Sequence, residues 1–330
     1  MRVLVTGSAG FVGHYVVEKL VNETDWEIIG MERLSYSGNL ARLSSMDTKG
    51  RYTSIHHDLK SPIGDLLQKQ IGDVDYIIHI GANSHVDRSI EDPLSFVMDN
   101  VVGTCNILDF ARTQKDRLKC FLYFSTDEVF GPAPNDVKYD EYDRYNSTNP
   151  YSASKAGGEE LAVAYRNTYD LPVVVTHTMN VFGNRQHPEK FIPKCIRKIE
   201  NGEIIEIHSD ETRTIPGSRH YIHGDDVADG VLFILKKSPS AVSVAGVCPK
   251  FNLVGPEEVN NLELAQMIAD VMGKQLNYNL VDFHSSRPGH DLRYAISGDR
   301  LAKLGWTPKE SLRQRISEVV EWTMNNKMWM

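Results

Sequence analysis

Short apolar runs alternate with stretches of helical period along the first half of the chain. Arg2-Val-Leu-Val-Thr6 is apolar on both faces, as a strand buried inside a parallel sheet is. A helical pattern follows from His14 to Asn22, and a second strand-like run covers Trp26–Met31. Further strands are expected at Tyr52–His57, Asp75–Ile80, Phe121–Ser125 and Pro172–Thr176. One helix is expected to start at Asp92-Pro93 and run through Phe110. Another is expected at Asn149-Pro150, where Asn caps well and Pro suits the first turn. Strands alternating with helices predict an α/β domain, a Rossmann-like doubly wound parallel sheet covered on both faces. Beyond about residue 179 segments shorten and Gly and Pro become frequent. The expectation is a first domain over residues 1–178 and a smaller C-terminal substrate-binding lobe over 179–330, with about 221–236 returning to the first domain. There is no internal repeat and no flexible linker.

Between the first strand and the first helix stands Gly7-Ser8-Ala9-Gly10-Phe11-Val12-Gly13. A glycine triplet alone is more often a tight turn than a site. Placed between a strand and a helix, it lets backbone approach a pyrophosphate whose charge meets the helix N-terminus. Gly7, Gly10, Phe11, Val12 and Gly13 are therefore the expected dinucleotide-binding residues. Glu32 ends the second strand about twenty residues after the last glycine, where a carboxylate accepts from ribose hydroxyls and repels a 2′-phosphate. That favours NAD over NADP. Arg33 beside it works the other way, since a guanidinium would welcome the phosphate. Asp58 and Leu59 close the third strand, where an adenine would lie.

The chemistry is expected at Tyr151-Ser-Ala-Ser-Lys155 and Phe124-Ser-Thr126-Asp127-Glu128. On a helix capped by Asn149, Tyr151 and Lys155 share one face. An ammonium beside a phenol stabilises the phenolate, which makes Tyr151 a base for an alcohol proton. A bare YxxxK is usually a surface Tyr and Lys; its pairing with a strand-end Asp-Glu reverses that reading. Adjacent side chains on a strand point to opposite faces, so both carboxylates serve one site only where the strand has just ended. Two carboxylates in one pocket separate in pKa, one acid and one base.

Composition narrows the function. A net charge of −8 leaves no overall basic field for nucleic acid or an anionic membrane. The N-terminus shows no charged leader with an apolar core, and no run reaches bilayer-spanning length. Cys105, Cys120, Cys195 and Cys248 lie far apart without metal-ligand spacing, as reduced thiols of a cytoplasmic protein would. His220 and His223 are read as hydrogen-bonded loop histidines rather than metal ligands, and no metal is expected.

Together, Gly7/Gly10/Gly13 in GxxGxxG spacing with Tyr151 and Lys155 resemble the extended short-chain dehydrogenase/reductase family. Within it the chain is most similar to the nucleotide-sugar 4,6-dehydratases, especially those acting on dTDP-glucose. Stretches 33–39, 84–89, 125–131, 188–193 and 287–291 carry the match, which covers nearly the whole chain. The first and third are fairly specific to the dehydratases, the others shared with epimerases and decarboxylases. The resemblance implies bound NAD, a nucleotide-diphosphate sugar substrate and a homodimer built on the helices after Pro93 and Asn149. It assigns Tyr151 with Lys155 and Thr126 to oxidation at C4, Glu128 to the C5 proton and Asp127 to the departing C6 hydroxyl. Arg219 and Arg287 fall at its diphosphate arginines, Asn180 and Lys190 in the sugar-nucleotide pocket, with Ser84, His85, Arg88 and His290 in the same region. Asn83 stands where Glu or Gln is expected, the segment 206–222 is longer, and His220-Tyr221 replace Asp-Trp; these bear on substrate identity. The alternatives are a 4-epimerase or a UDP-glucuronate decarboxylase and, as a non-enzyme, a regulator sensing NAD or a sugar nucleotide. The epimerase has no use for Asp127-Glu128, and the regulator no need of all five catalytic residues.

Overall fold

Seven of the apolar runs pair as a single parallel sheet in the computed structural model, which describes residues 1–44, 46–237, 246–282 and 292–330. In chain order the elements are β1 (Arg2–Thr6), α1 (Phe11–Glu23), β2 (Glu27–Glu32), α2 (Ala41–Ser44), β3 (Tyr52–His56), α3 (Asp65–Ile71), β4 (Tyr76–His79), α4 (Val86–Glu91), α5 (Pro93–Val97), α6 (Gly103–Thr113), β5 (Cys120–Thr126), α7 (Pro150–Tyr169) and β6 (Val173–Thr178). Then follow β7 (Asn180–Phe182), α8 (Phe191–Glu200), β8 (Ile205–Ser209), β9 (Ser218–His223), α9 (Gly224–Lys237), β10 (Lys250–Leu253), β11 (Glu258–Asn260), α10 (Asn261–Met272) and β12 (Tyr278–Asp282). The main sheet runs β10-β6-β5-β4-β1-β2-β3, every pair parallel.

Each strand is apolar on both faces because both faces are covered. Val3, Val5, Ile28, Ile78 and Leu122 pack on one side with Val16, Val17 and Leu20 of α1 and Val227 and Val231 of α9. Leu4, Ile29, Ile77, Phe121 and Val175 pack on the other with Ile107, Leu108 and Ala162 of α6 and α7. The seventh strand, β10, was not anticipated; it lies far along the chain from the strand it pairs with, β6. Residues 179 onward contribute a separate core of Ile192, Ile196, Ile207, Leu264, Ile268 and Ile316. It lies beside a small β11-β9-β7 sheet and a β12-β8 pair. His220 and His223 lie on β9, not in a loop, as a correction to the sequence reading.

Helix α7 forms for local reasons. Asn149 accepts from the Ser152 N–H at 2.9 Å, the Ser152 hydroxyl closes the reciprocal half of a capping box, and Pro150 sits in the first turn. Gly158, unfavourable in a helix, is required by contact. A Cβ there would lie 2.5 Å from the Tyr123 hydroxyl and 2.6 Å from the Asn100 carbonyl oxygen. The long helix predicted after Pro93 exists but is broken by a π-turn at Met98–Val102. The turn aims the Asn100 amide at the Ser154 hydroxyl, 2.8 Å away, and joins that segment to α7.

Candidate active site

The carboxyl ends of the parallel strands open onto one cleft of about 420 Å³. This is where ligands sit in open α/β sheets. Gly7, at the end of β1, adopts φ +72°, and a Cβ built on Gly13 would meet the Gly7 carbonyl oxygen at 1.9 Å. Gly10 precedes α1 with no side chain capping it, so the helix presents bare first-turn N–H groups to the cleft. Phe11, Val12, Asp58 and Leu59 line the same space. Glu32 is buried on the lining and accepts from the Ala9 N–H. Such a bare backbone cradle ending in a carboxylate fits a dinucleotide. Gly13→Ala is expected to weaken dinucleotide binding by at least about a hundredfold, since the added methyl would strike the Gly7 backbone, which no rotamer change can move aside. Calorimetric titration checks this, and retention of near wild-type affinity would contradict it.

Thr126, Asp127, Glu128, Tyr151 and Lys155 line the same cleft. β5 ends at Thr126, and a 3₁₀ turn over Asp127–Phe130 carries both carboxylates past the pleat. The Thr126 hydroxyl donates to Asp127 Oδ1 at 3.1 Å, and the Asn149 amide donates to Glu128 Oε2 at 3.1 Å. Burial pushes the Asp127 carboxyl up to about 7, helped by the Glu128 charge and opposed by Arg219. Asp127 Oδ2 is buried without a hydrogen-bond partner among the described residues, as are the Ser125 and Thr178 hydroxyls on the same lining. One carboxyl is thus poised as an acid beside a second that takes a donor from the α7 cap.

Tyr151 and Lys155 also line the cleft, but their electrostatics differ from the sequence reading. Burial, reinforced by Glu128, raises the Tyr151 phenol above its ordinary value. Burial brings Lys155 down to about 7, with Glu159 opposing. In the chain alone the phenol is therefore not lowered, because desolvation and the neighbouring carboxylates outweigh the Thr126 hydrogen bond that favours the phenolate.

Ser84, Asn180 and Lys190 line the cleft; His85, Arg88 and Arg219 do not. His85 caps α4, with Nδ1 accepting from the Arg88 N–H at 3.4 Å. Arg88 stacks 3.6 Å over the Tyr36 ring and lies 3.7 Å from Glu189. Arg219 on β9 donates at 2.7 Å to the carbonyls of Ser218 and Leu292, while its charge reaches Asp127. Arg287 and His290 lie outside the described residues. Sequence reasoning missed Arg42, which is 1% exposed and donates to the Ala9, Ser37 and Arg185 carbonyls, at 3.0, 2.6 and 3.0 Å. It joins the glycine loop to two others at the cleft, and no periodicity signals a buried Arg in a four-residue helix.

The described residues contain no group of three or more His, Cys, Asp or Glu arranged to hold a metal, and no helix long and apolar enough to cross a membrane. A family model for GDP-mannose 4,6 dehydratase matches residues 4–319. A dTDP-glucose 4,6-dehydratase of Escherichia coli is 33% identical, the match covering 100% of this chain and 95% of that protein. The low-salt glycan biosynthesis protein Agl12 of Haloferax volcanii is 35% identical over 99% of each chain. Among solved structures, the dTDP-glucose 4,6-dehydratase DesIV of Streptomyces venezuelae, with NAD and TYD bound, superposes with a TM-score of 0.88. It is 32% identical, covering 100% of this chain and 98% of that one.

Proposed function

The chain belongs to the nucleotide-sugar 4,6-dehydratase branch of the extended short-chain dehydrogenase/reductase family, and from that premise we propose that it is an NAD-dependent hydro-lyase converting dTDP-glucose to its 4-keto-6-deoxy sugar. The observation that carries the reading is the Asp127-Glu128 pair at the end of β5, one carboxyl raised to about 7, in the same cleft as Tyr151 and Lys155.

Bound NAD supplies a hydride acceptor at C4 and the hydride returned to C6. Gly7, Gly10, Phe11, Val12 and Gly13 hold its pyrophosphate, Glu32 its ribose, and Asp58 with Leu59 its adenine end. Thr126 orients the C4 hydroxyl, and Tyr151, with Lys155 behind it, takes the hydroxyl proton. The 4-ketone acidifies C5–H; Glu128 removes that proton and would return it to C5 as the hydride reaches C6. Asp127 gives its proton to the C6 hydroxyl, which leaves as water. On this reading residues 1–178 hold the dinucleotide, and residues 179–330 supply Asn180 and Lys190 to the sugar nucleotide, with Ser84 on the same lining. The free cysteines support a cytoplasmic enzyme.

The decisive experiment incubates the protein separately with dTDP-glucose, UDP-glucose and GDP-mannose, without added cofactor, and follows product mass. Loss of one water from dTDP-glucose supports the reading, and loss from another nucleotide alone overturns the substrate. An isomer of unchanged mass would make the chain an epimerase. Absence of bound nicotinamide cofactor and of any turnover would leave the sensor.

The homodimer rests on an apolar strip along α4, α5 and the π-turn. Leu94 is 68% exposed, with Ile90, Val97 and Met98 beside it. Sedimentation is expected to give a dimer for the wild type and a monomer for Leu94→Asp; a wild-type monomer would exclude it.

A further inference from the structure

We infer that Asp99 is a cofactor-specificity residue: by capturing Arg33 it withholds the guanidinium from a 2′-phosphate and keeps the site selective for NAD. The inference rests on the dinucleotide reading of the cleft. Arg33 directly follows Glu32 and lines the cleft with Asp58 and Asp99, so it is the cation best placed to favour a phosphorylated ribose. It is already committed. Nη1 donates to Asp99 Oδ1 at 2.5 Å and Nη2 to Oδ2 at 3.0 Å, a two-pronged bridge matched to the carboxylate. Asp58 adds a third contact at 3.5 Å. The Asp99 side chain is 9% exposed and that of Arg33 31%, so this half-buried pair is less screened than a surface one.

The surroundings hold Asp99 in that role. It lies on the π-turn that interrupts the helix after Pro93, so the backbone sets its direction. Its Oδ2 also accepts from the Asn83 amide at 2.9 Å, and the Asn83 N–H donates to Asn100 Oδ1 at 2.8 Å. This accounts for Asn at position 83: a carboxylate there would repel Asp99, whereas the amide donates to it. A 2′-phosphate entering the cleft would meet Glu32, Asp58 and Asp99 with the neighbouring cation neutralised.

The test is calorimetric binding of NAD and of NADP to protein freed of bound nucleotide, for wild type, Asp99→Ala and the size-conserving Asp99→Asn, with melting curves to confirm folding. Opening the bridge is expected to lower the ratio of the NADP to the NAD dissociation constant by about tenfold or more. Adding Arg33→Gln to Asp99→Ala is expected to restore the ratio. An unchanged ratio in folded variants of a wild type that binds NAD overturns the role of Asp99. A fall that Arg33→Gln does not reverse does the same. Wild-type protein that binds neither dinucleotide overturns the cofactor reading beneath it.

Discussion

Asp127→Asn is expected to abolish water loss, lowering turnover by about 10²–10⁴-fold, while raising the melting temperature of the ligand-free protein. Both effects have one cause. The carboxyl is 3% exposed, Oδ2 has no partner among the described residues, and its pKa is raised to about 7 by burial and by Glu128. The folded chain therefore binds this proton more tightly than the unfolded chain, whose carboxyl stays near its ordinary value. Stability contributed by the group is present at low pH and lost as pH rises from about 4 through 7, where folding must bury a charge. Asn carries no charge, so its gain should be largest near pH 8, on the order of 2–4 kcal/mol at most, and nearly absent near pH 4. Melting curves at the two pH values check this. A variant that melts lower at pH 8 would show that contacts, not burial, dominate the carboxylate. Catalytically, the acid form dominates below about 7, so wild-type turnover should fall as pH rises above it. Exchange of the C5 proton with deuterated solvent needs Glu128 rather than Asp127, and is expected to survive in the variant.

Tyr151→Phe is expected to lower kcat by about a thousandfold, because it removes the base proposed to take the C4 hydroxyl proton. The helix should persist: its cap is Asn149 with Ser152, and the Tyr151 ring packs edge-on against Phe96 at 6.4 Å, a contact Phe retains. The melting temperature should fall only slightly, since the phenol's hydrogen bond to Thr126 is what Phe removes. Steady-state kinetics with a cofactor-binding titration separate the base from a structural role. A loss below about tenfold would assign proton removal elsewhere.

Much of this was legible before folding. The strand–glycine–helix order, the Asn149-Pro150 start and the Asp-Glu pair at a strand end are short-range patterns, and short-range sterics and capping decide them. Arg42 and Asp99 were not legible. Arg42 is buried only because three loops converge on it, and Asp99 meets Arg33 across 66 residues of chain. Arg33 itself looked ambiguous in sequence for the same reason, since its partner is remote.

By itself the sequence determined the α/β class, the glycine cradle, the placement of Tyr151, Lys155, Asp127 and Glu128 on elements that meet, and the family resemblance. Each follows from periodicity or from residues a few positions apart. The tertiary structure decided the direction of the pKa shifts, the commitment of Arg33, and the seventh strand β10. These depend on desolvation and on partners brought from distant segments, because the free energy of a buried charge is set by the whole of its surroundings and not by its neighbours in the chain.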